Sequence, residues 1–118
     1  MKKVFAVVAL VLAMAGAAFA LSDEEYTSLK KSNADFARAD KRLTQVWKKL
    51  KADLSKSVFA ELQKDQREWI DTGRDEEADV LMNDGYSRAE AYTIATNNRA
   101  DELPDIARSL AKSLRKRK

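Results

Sequence analysis

Beyond residue 20, apolar positions recur three and four residues apart in long stripes. Tyr26, Leu29, Asn33, Phe36, Asp40, Leu43, Trp47, Leu50 and Leu54 form the first stripe. A seam of this spacing, sustained over four heptads, predicts one long helix from Ser22 to Leu54. Ser22, with Glu25 three residues later, supplies its capping box. Ser55-Lys56-Ser57 breaks the pattern, and Ser57 is placed to cap the second helix. The second stripe is Phe59, Leu62, Gln66, Trp69, Gly73, Glu76 and Val80, which predicts a helix to about Asn83 that stops at Asp84-Gly85. Gly73 within the seam costs about 1 kcal/mol of helix propensity relative to alanine, and close approach of a neighbouring helix would account for it. Ser87-Arg88-Ala89-Glu90 reads as another capping box, with Tyr86 placed to staple over the first turn. The third seam runs through Tyr92, Thr96, Arg99, Leu103, Ile106, Leu110 and Leu114. Pro104 lies within it, and a kink or short restart is expected there. Short connections make sequential helices antiparallel neighbours. The expected fold is all-α, an antiparallel three-helix bundle with one long first helix.

The first twenty residues follow a different pattern. Lys2-Lys3 precedes an unbroken apolar run from Val4 to Ala15, and Ala18-Phe19-Ala20 ends in an A-x-A site. This is the layout of a cleaved secretory signal peptide. The run is shorter than the roughly 20 apolar residues a spanning helix needs, and no cysteine follows to carry a lipid. The expected organisation is therefore a signal at 1–20, a helical domain at 21–111 and a basic tail at 112–118, with the product periplasmic or secreted and without a stable membrane anchor.

Composition narrows the chemistry. The chain has no cysteine and no histidine. Disulfides, thiol nucleophiles, Cys-type zinc sites and the commonest general base are thereby excluded. Three glycines and one proline argue against a turn-rich β fold. The formal charge of +3 hides an uneven distribution. Lys30 to Lys56 holds nine basic and three acidic residues, whereas Glu61 to Asp84 holds nine acidic and three basic ones. In an antiparallel pair these segments are expected side by side. The acidic residues Glu68, Asp71, Asp75, Glu76 and Asp79 read as a solvated face or as a docking surface for a basic partner. They lack the loop spacing of an EF-hand, so no metal site is expected. Arg115, Lys116, Arg117 and Lys118 close the chain as an interaction tail for polyanions or as a solubilising end.

Asn33, Asp40, Gln66 and Arg99 break the apolar stripes, with Arg74 beside the second one. Charged groups in a bundle interior must be paired and hydrogen-bonded. A buried network is expected, in which Asp40 accepts from Arg99 or Arg74 and Gln66 satisfies the remainder. The competing reading pairs Asp40 with Asp75 or Glu76 as a catalytic acid and base, but no cleft-forming loop accompanies them. No catalytic residue and no cofactor is assigned. Trp47 and Trp69 sit at seam spacing and read as core.

Three stretches carry a family resemblance: Ala39-Asp40-Lys41-Arg42-Leu43; Leu62-Gln63-Lys64-Asp65-Gln66-Arg67-Glu68-Trp69-Ile70 with Arg74-Asp75; and Thr96-Asn97-Asn98-Arg99-Ala100-Asp101-Glu102-Leu103. Together the chain resembles the LprI-like family of small exported domains, typified by the N-terminal domain of the lysozyme inhibitor LprI. The resemblance covers roughly Tyr26 to Ile106, and Gln-Arg-x-Trp followed by Arg-Asp is its most specific part. It implies a helical exported domain with lysozyme inhibition as the best-known activity, and it maps family positions onto Asp40, Leu43, Gln66, Trp69, Arg74, Arg99 and Leu103. Two departures stand out. Ala78 occupies a position where members commonly carry cysteine, and Leu43 is followed by Thr44 where members often have asparagine.

The functional expectation is a non-enzymatic exported binding protein that takes a protein partner, a lysozyme or related muramidase by resemblance. The alternative is a structural protein of the envelope that self-associates as a homo-oligomer or docks another helix, or a polyanion binder through its tail. No specific nucleic acid is expected as a partner.

Overall fold

The computed structural model describes residues 21–116. The elements are α1 (Asp23–Ser32), α2 (Ala34–Asp53), α3 (Lys56–Glu68), one π-helical turn (Trp69–Gly73), α4 (Arg74–Asn83) and α5 (Arg88–Lys116). The chain is all-helical, with no strand among the described residues. The expected signal at 1–20 and the last two residues of the expected tail, Arg117 and Lys118, lie outside the described residues.

The long first helix expected from the seam is divided at Asn33. Its backbone is extended (φ −127°, ψ 109°), and its side chain accepts a hydrogen bond from the Phe36 N–H at 2.9 Å. Asn33 therefore ends α1 and caps α2. The stripe of three and four continues through it because asparagine fits both a polar seam position and a helix cap. At the start of α1, Ser22 accepts from the Glu25 N–H at 3.1 Å, as its spacing predicts. The cap of α3 is Ser55, which accepts from the Val58 N–H at 3.3 Å; the expected Ser57 lies inside the helix.

The second segment departs from its expected register at the π turn. The Arg74 N–H reaches back five residues to the Trp69 carbonyl, so this turn holds one residue more than an α-helical turn. The inward positions then shift by one. The seam predicts Gly73, Glu76 and Val80 inside, but Arg74 and Ala78 are the buried residues, and Val80 is 61% exposed. The nearest neighbour of Gly73 is its own segment and not another helix. A Cβ there would meet Trp69 Cδ1 of its own segment at 3.1 Å.

Gly85 ends the segment with φ +106°, the left-handed conformation that glycine adopts without strain. The capping box of α5 is formed as expected, with Ser87 N–H donating to Glu90 at 2.9 Å and Glu90 N–H to Ser87 at 3.1 Å. Tyr86, before the box, is 44% exposed. No restart occurs at Pro104, which lies inside α5. The helix also runs through Lys112 to Lys116, so this part of the expected tail is helical. Its terminal Arg115 and Lys116 sit where cations favour a helix end.

Helix α5 is the central element, packing against α2, α3 and α4. Its buried residues include Tyr92, Thr96, Arg99 and Leu103, the inner half of the predicted seam. One apolar cluster gathers Leu21, Phe36, Ala78, Ala91 and Tyr92, flanked by Tyr26, Leu29, Leu81 and Met82. The second gathers Phe59, Leu62, Leu103 and Ala107, flanked by residues that include Leu43, Trp47, Leu50 and Leu110. Trp47 stacks obliquely on Phe59 with centroids 4.9 Å apart. Both charged segments also reach α5: Arg42 of α2 pairs with Asp101, and Asn98 donates to Glu77 of α4 at 2.8 Å.

Candidate functional site

Between the two apolar clusters lies a polar layer centred on Trp69. The π turn brings Trp69 and Arg74 to the same inner side. The Arg74 guanidinium carbon lies 5.8 Å from the Trp69 ring centroid, and that of Arg99, from α5, lies 5.5 Å from it. The indole is thus flanked by two arginines, a cation–π arrangement.

Arg99 donates from Nε to Gln66 at 2.7 Å and from Nη2 to Asp65 at 2.5 Å. The expected meeting of Gln66 and Arg99 is therefore formed. The expected acceptance by Asp40 is not, because the carboxylate bound to Arg99 is Asp65. Asp65 and Gln66 are consecutive residues of α3 and together present one acceptor pair to the guanidinium fork.

Asp40 serves α1 instead. It accepts from the Tyr26 hydroxyl and lies 3.3 Å from Lys30 Nζ. These contacts hold α1 against α2 across the break at Asn33. Arg74, only 7% exposed, also fails to meet Asp40. Its guanidinium lies 6.0 Å from the Tyr92 ring centroid as well as over Trp69, and its Nε has no hydrogen-bond partner among the described residues. Trp69 Nε1 and Asp71 Oδ1 share that state. The remaining family positions, Leu43 and Leu103, belong to the second apolar cluster.

Asp75 leaves the expected acidic face. It accepts from the Tyr92 hydroxyl at 2.6 Å and from the Leu21 backbone N–H at 3.2 Å. Sequence reasoning misses this contact; the only local signal is that Asp75 follows an arginine in a segment that otherwise reads as solvated. Burial, reinforced by donation to Asp75, raises the Tyr92 hydroxyl well above its ordinary value. Burial and donation to Asp40 do the same for Tyr26.

What remains of the acidic face is Glu68, Glu76 and Asp79, all exposed. Glu76, Asp79 and Val80 follow the three-and-four spacing that places helical residues on one side. They make an acidic strip with one exposed valine. Among the described residues no group of three acidic, histidine or cysteine side chains is placed to hold a metal ion. No helix among them is long and apolar enough to cross a membrane.

Ala78, the position at which the resemblance implies cysteine, is fully buried beside Leu21, Phe36 and Tyr92. The small methyl fits a site already closed by larger neighbours. No curated protein and no solved structure matches the chain. The family model for the lysozyme inhibitor LprI matches residues 19–114, which takes in all the helices save the last two residues of α5. On that match, spanning most of the sequence, the chain belongs to the LprI lysozyme inhibitor family.

Proposed function

We propose that this protein is an exported, non-enzymatic inhibitor that binds a lysozyme through the exposed face of α4. The observation that carries the reading is the family match over residues 19–114. Where the motif residues sit narrows the surface. Gln66, Trp69, Arg74 and Arg99 contact one another inside the fold, so their part is to set the helix register. Recognition then falls to exposed groups. Glu68, Glu76 and Asp79 supply negative charge, with Val80 as an apolar centre that loses water on contact. Many lysozymes are basic outside their catalytic cleft, and a complementary acidic face accelerates encounter with such a partner. In this reading the helices act as an antiparallel three-armed bundle, α1–α2, α3–α4 and α5, that holds the face rigid.

The test is lysis of bacterial cells by lysozymes of several classes, with the exported protein in stoichiometric excess. Slowed lysis by at least one class is expected, together with loss of inhibition in Glu76→Lys/Asp79→Lys. Unchanged lysis by every class rejects the inhibitor reading. Full inhibition by the charge-reversed variant keeps that reading and rejects the α4 face.

A further inference from the structure

Leu21 is an unusual residue to find buried at the beginning of the described chain. The residue is 2% exposed and packs with Phe36, Ala78, Ala91 and Tyr92. Its backbone nitrogen donates to Asp75 Oδ1 at 3.2 Å, and the same oxygen accepts from Tyr92 at 2.6 Å. One oxygen of a half-buried carboxylate therefore takes two neutral donors, one of them the nitrogen immediately after Ala18-Phe19-Ala20.

We propose that cleavage between Ala20 and Leu21 creates an α-ammonium that stays beside Asp75, forming an ion pair that only the processed protein contains. The inference rests on the reading of residues 1–20 as a removable export signal. Hydrolysis adds one water across the Ala20–Leu21 amide. The hydroxyl joins the Ala20 carbonyl carbon, the C–N bond breaks, and the nitrogen gains the hydrogen. Proton transfer from the new carboxylic acid then leaves an Ala20 carboxylate and a Leu21 ammonium. The bond to Asp75 changes from one in which only the carboxylate is charged to one in which donor and acceptor are both charged, an ion pair as well as a hydrogen bond. The Leu21 side chain keeps the new terminus in register, because moving the nitrogen away would pull that side chain out of the apolar cluster.

Processing thus completes the tie between the N-terminal segment, α4 and α5 through Asp75 and Tyr92. Asp75 is also displaced from the partner-binding strip, so its role is separable from lysozyme recognition.

The experiment expresses the full precursor in an exporting host and maps the N-terminus of the recovered protein by mass. Its α-amine is then labelled with an amine-reactive ester under native conditions, with the exposed lysines as internal reference. The expected terminus is Leu21, with its amine labelled at least about tenfold more slowly than in Asp75→Asn. A second precursor carries one glycine inserted between Ala20 and Leu21, which moves the ammonium out of place while leaving Asp75 and the core unchanged. Its amine is expected to label rapidly, and its Tm to fall by about 5 °C. A terminus elsewhere overturns the export-signal reading itself. A Leu21 terminus that labels as fast as the glycine-extended one, with no difference in Tm, keeps that reading and overturns the ion pair. If Asp75→Asn does not fold, the glycine insertion decides alone.

Discussion

The Cβ that alanine would place at position 73 lies 3.1 Å from Trp69 Cδ1, four residues earlier in the same π-helical turn. The indole has little room to retreat, since it is buried with the guanidinium carbons of Arg74 and Arg99 at 5.8 and 5.5 Å from its ring centroid. Helix propensity alone favours Gly73→Ala by about 1 kcal/mol. Overpacking a buried aromatic opposes it by about 1–3 kcal/mol. A net loss of about 1 kcal/mol is expected in urea denaturation, and a more stable variant would show that the ring yields freely.

Arg99 meets α3 through Asp65 and Gln66, while Asp40 meets α1. Arg99→Ala strands the Gln66 carbonyl and the half-exposed Asp65 carboxylate and removes a cation from Trp69. A loss of about 2–4 kcal/mol is expected, tempered by the water that reaches Asp65. Double-mutant cycles distinguish the partners. Arg99 and Gln66 should couple by more than about 0.5 kcal/mol, whereas Arg99 and Asp40 should be additive within that margin. Strong coupling between Arg99 and Asp40 contradicts the assignment.

The break at Asn33 gives a separate handle on α1. Asn33→Ala deletes the acceptor for the Phe36 N–H and should cost about 1 kcal/mol. Asn33→Ser, which retains a capping oxygen, should restore most of it. Thermal melts of the two variants provide the comparison, and equal losses would indicate that the cap contributes nothing.

Tyr26 and Tyr92 make the fold sensitive to alkali. Each hydroxyl is raised in the folded state, by burial first and then by donation to Asp40 or Asp75. An unfolded tyrosine ionises near pH 10. The stabilisation from these hydroxyls is fully present below that pH and is lost as pH rises toward the folded-state values, where the unfolded chain binds fewer protons. Each group contributes a slope of at most about 1.4 kcal/mol per pH unit. Denaturant midpoints measured from pH 8 to 11.5 should fall more steeply for the parent than for Tyr26→Phe/Tyr92→Phe. Parallel curves would assign the alkaline loss to other groups.

Much of the helical content is readable because its causes are local. Ser22, Gly85 and the Ser87–Glu90 box act within four residues, and the structure places them as their spacing predicts. The seam of α5 is equally legible from Tyr92 to Leu103, since a strict helical period needs no partner to define its inward side. The candidate site is less so. Gln66 and Arg99 are recognisable as polar residues that must find company inside. Their third member, Asp65, looks like one more carboxylate in an acidic segment, and the Arg74-Asp75 motif singles out Asp75 without saying that it meets Tyr92 and Leu21.

Periodicity, short-range hydrogen bonding and motif residues account for the helical class, the caps at Ser22 and Ser87, the family and the need for a polar layer in the interior. The break at Asn33, the one-residue shift across Trp69–Gly73 and the carboxylate that meets Arg99 emerge only in the packed helices. The physical reason is that a period states which side of a helix avoids water, but not what lies opposite. An extra residue in one turn, or a choice among several carboxylates, is settled only by the packing of segments distant in the chain. Arg74 illustrates it: one π turn moved it from beside the seam into the core, between two aromatic rings.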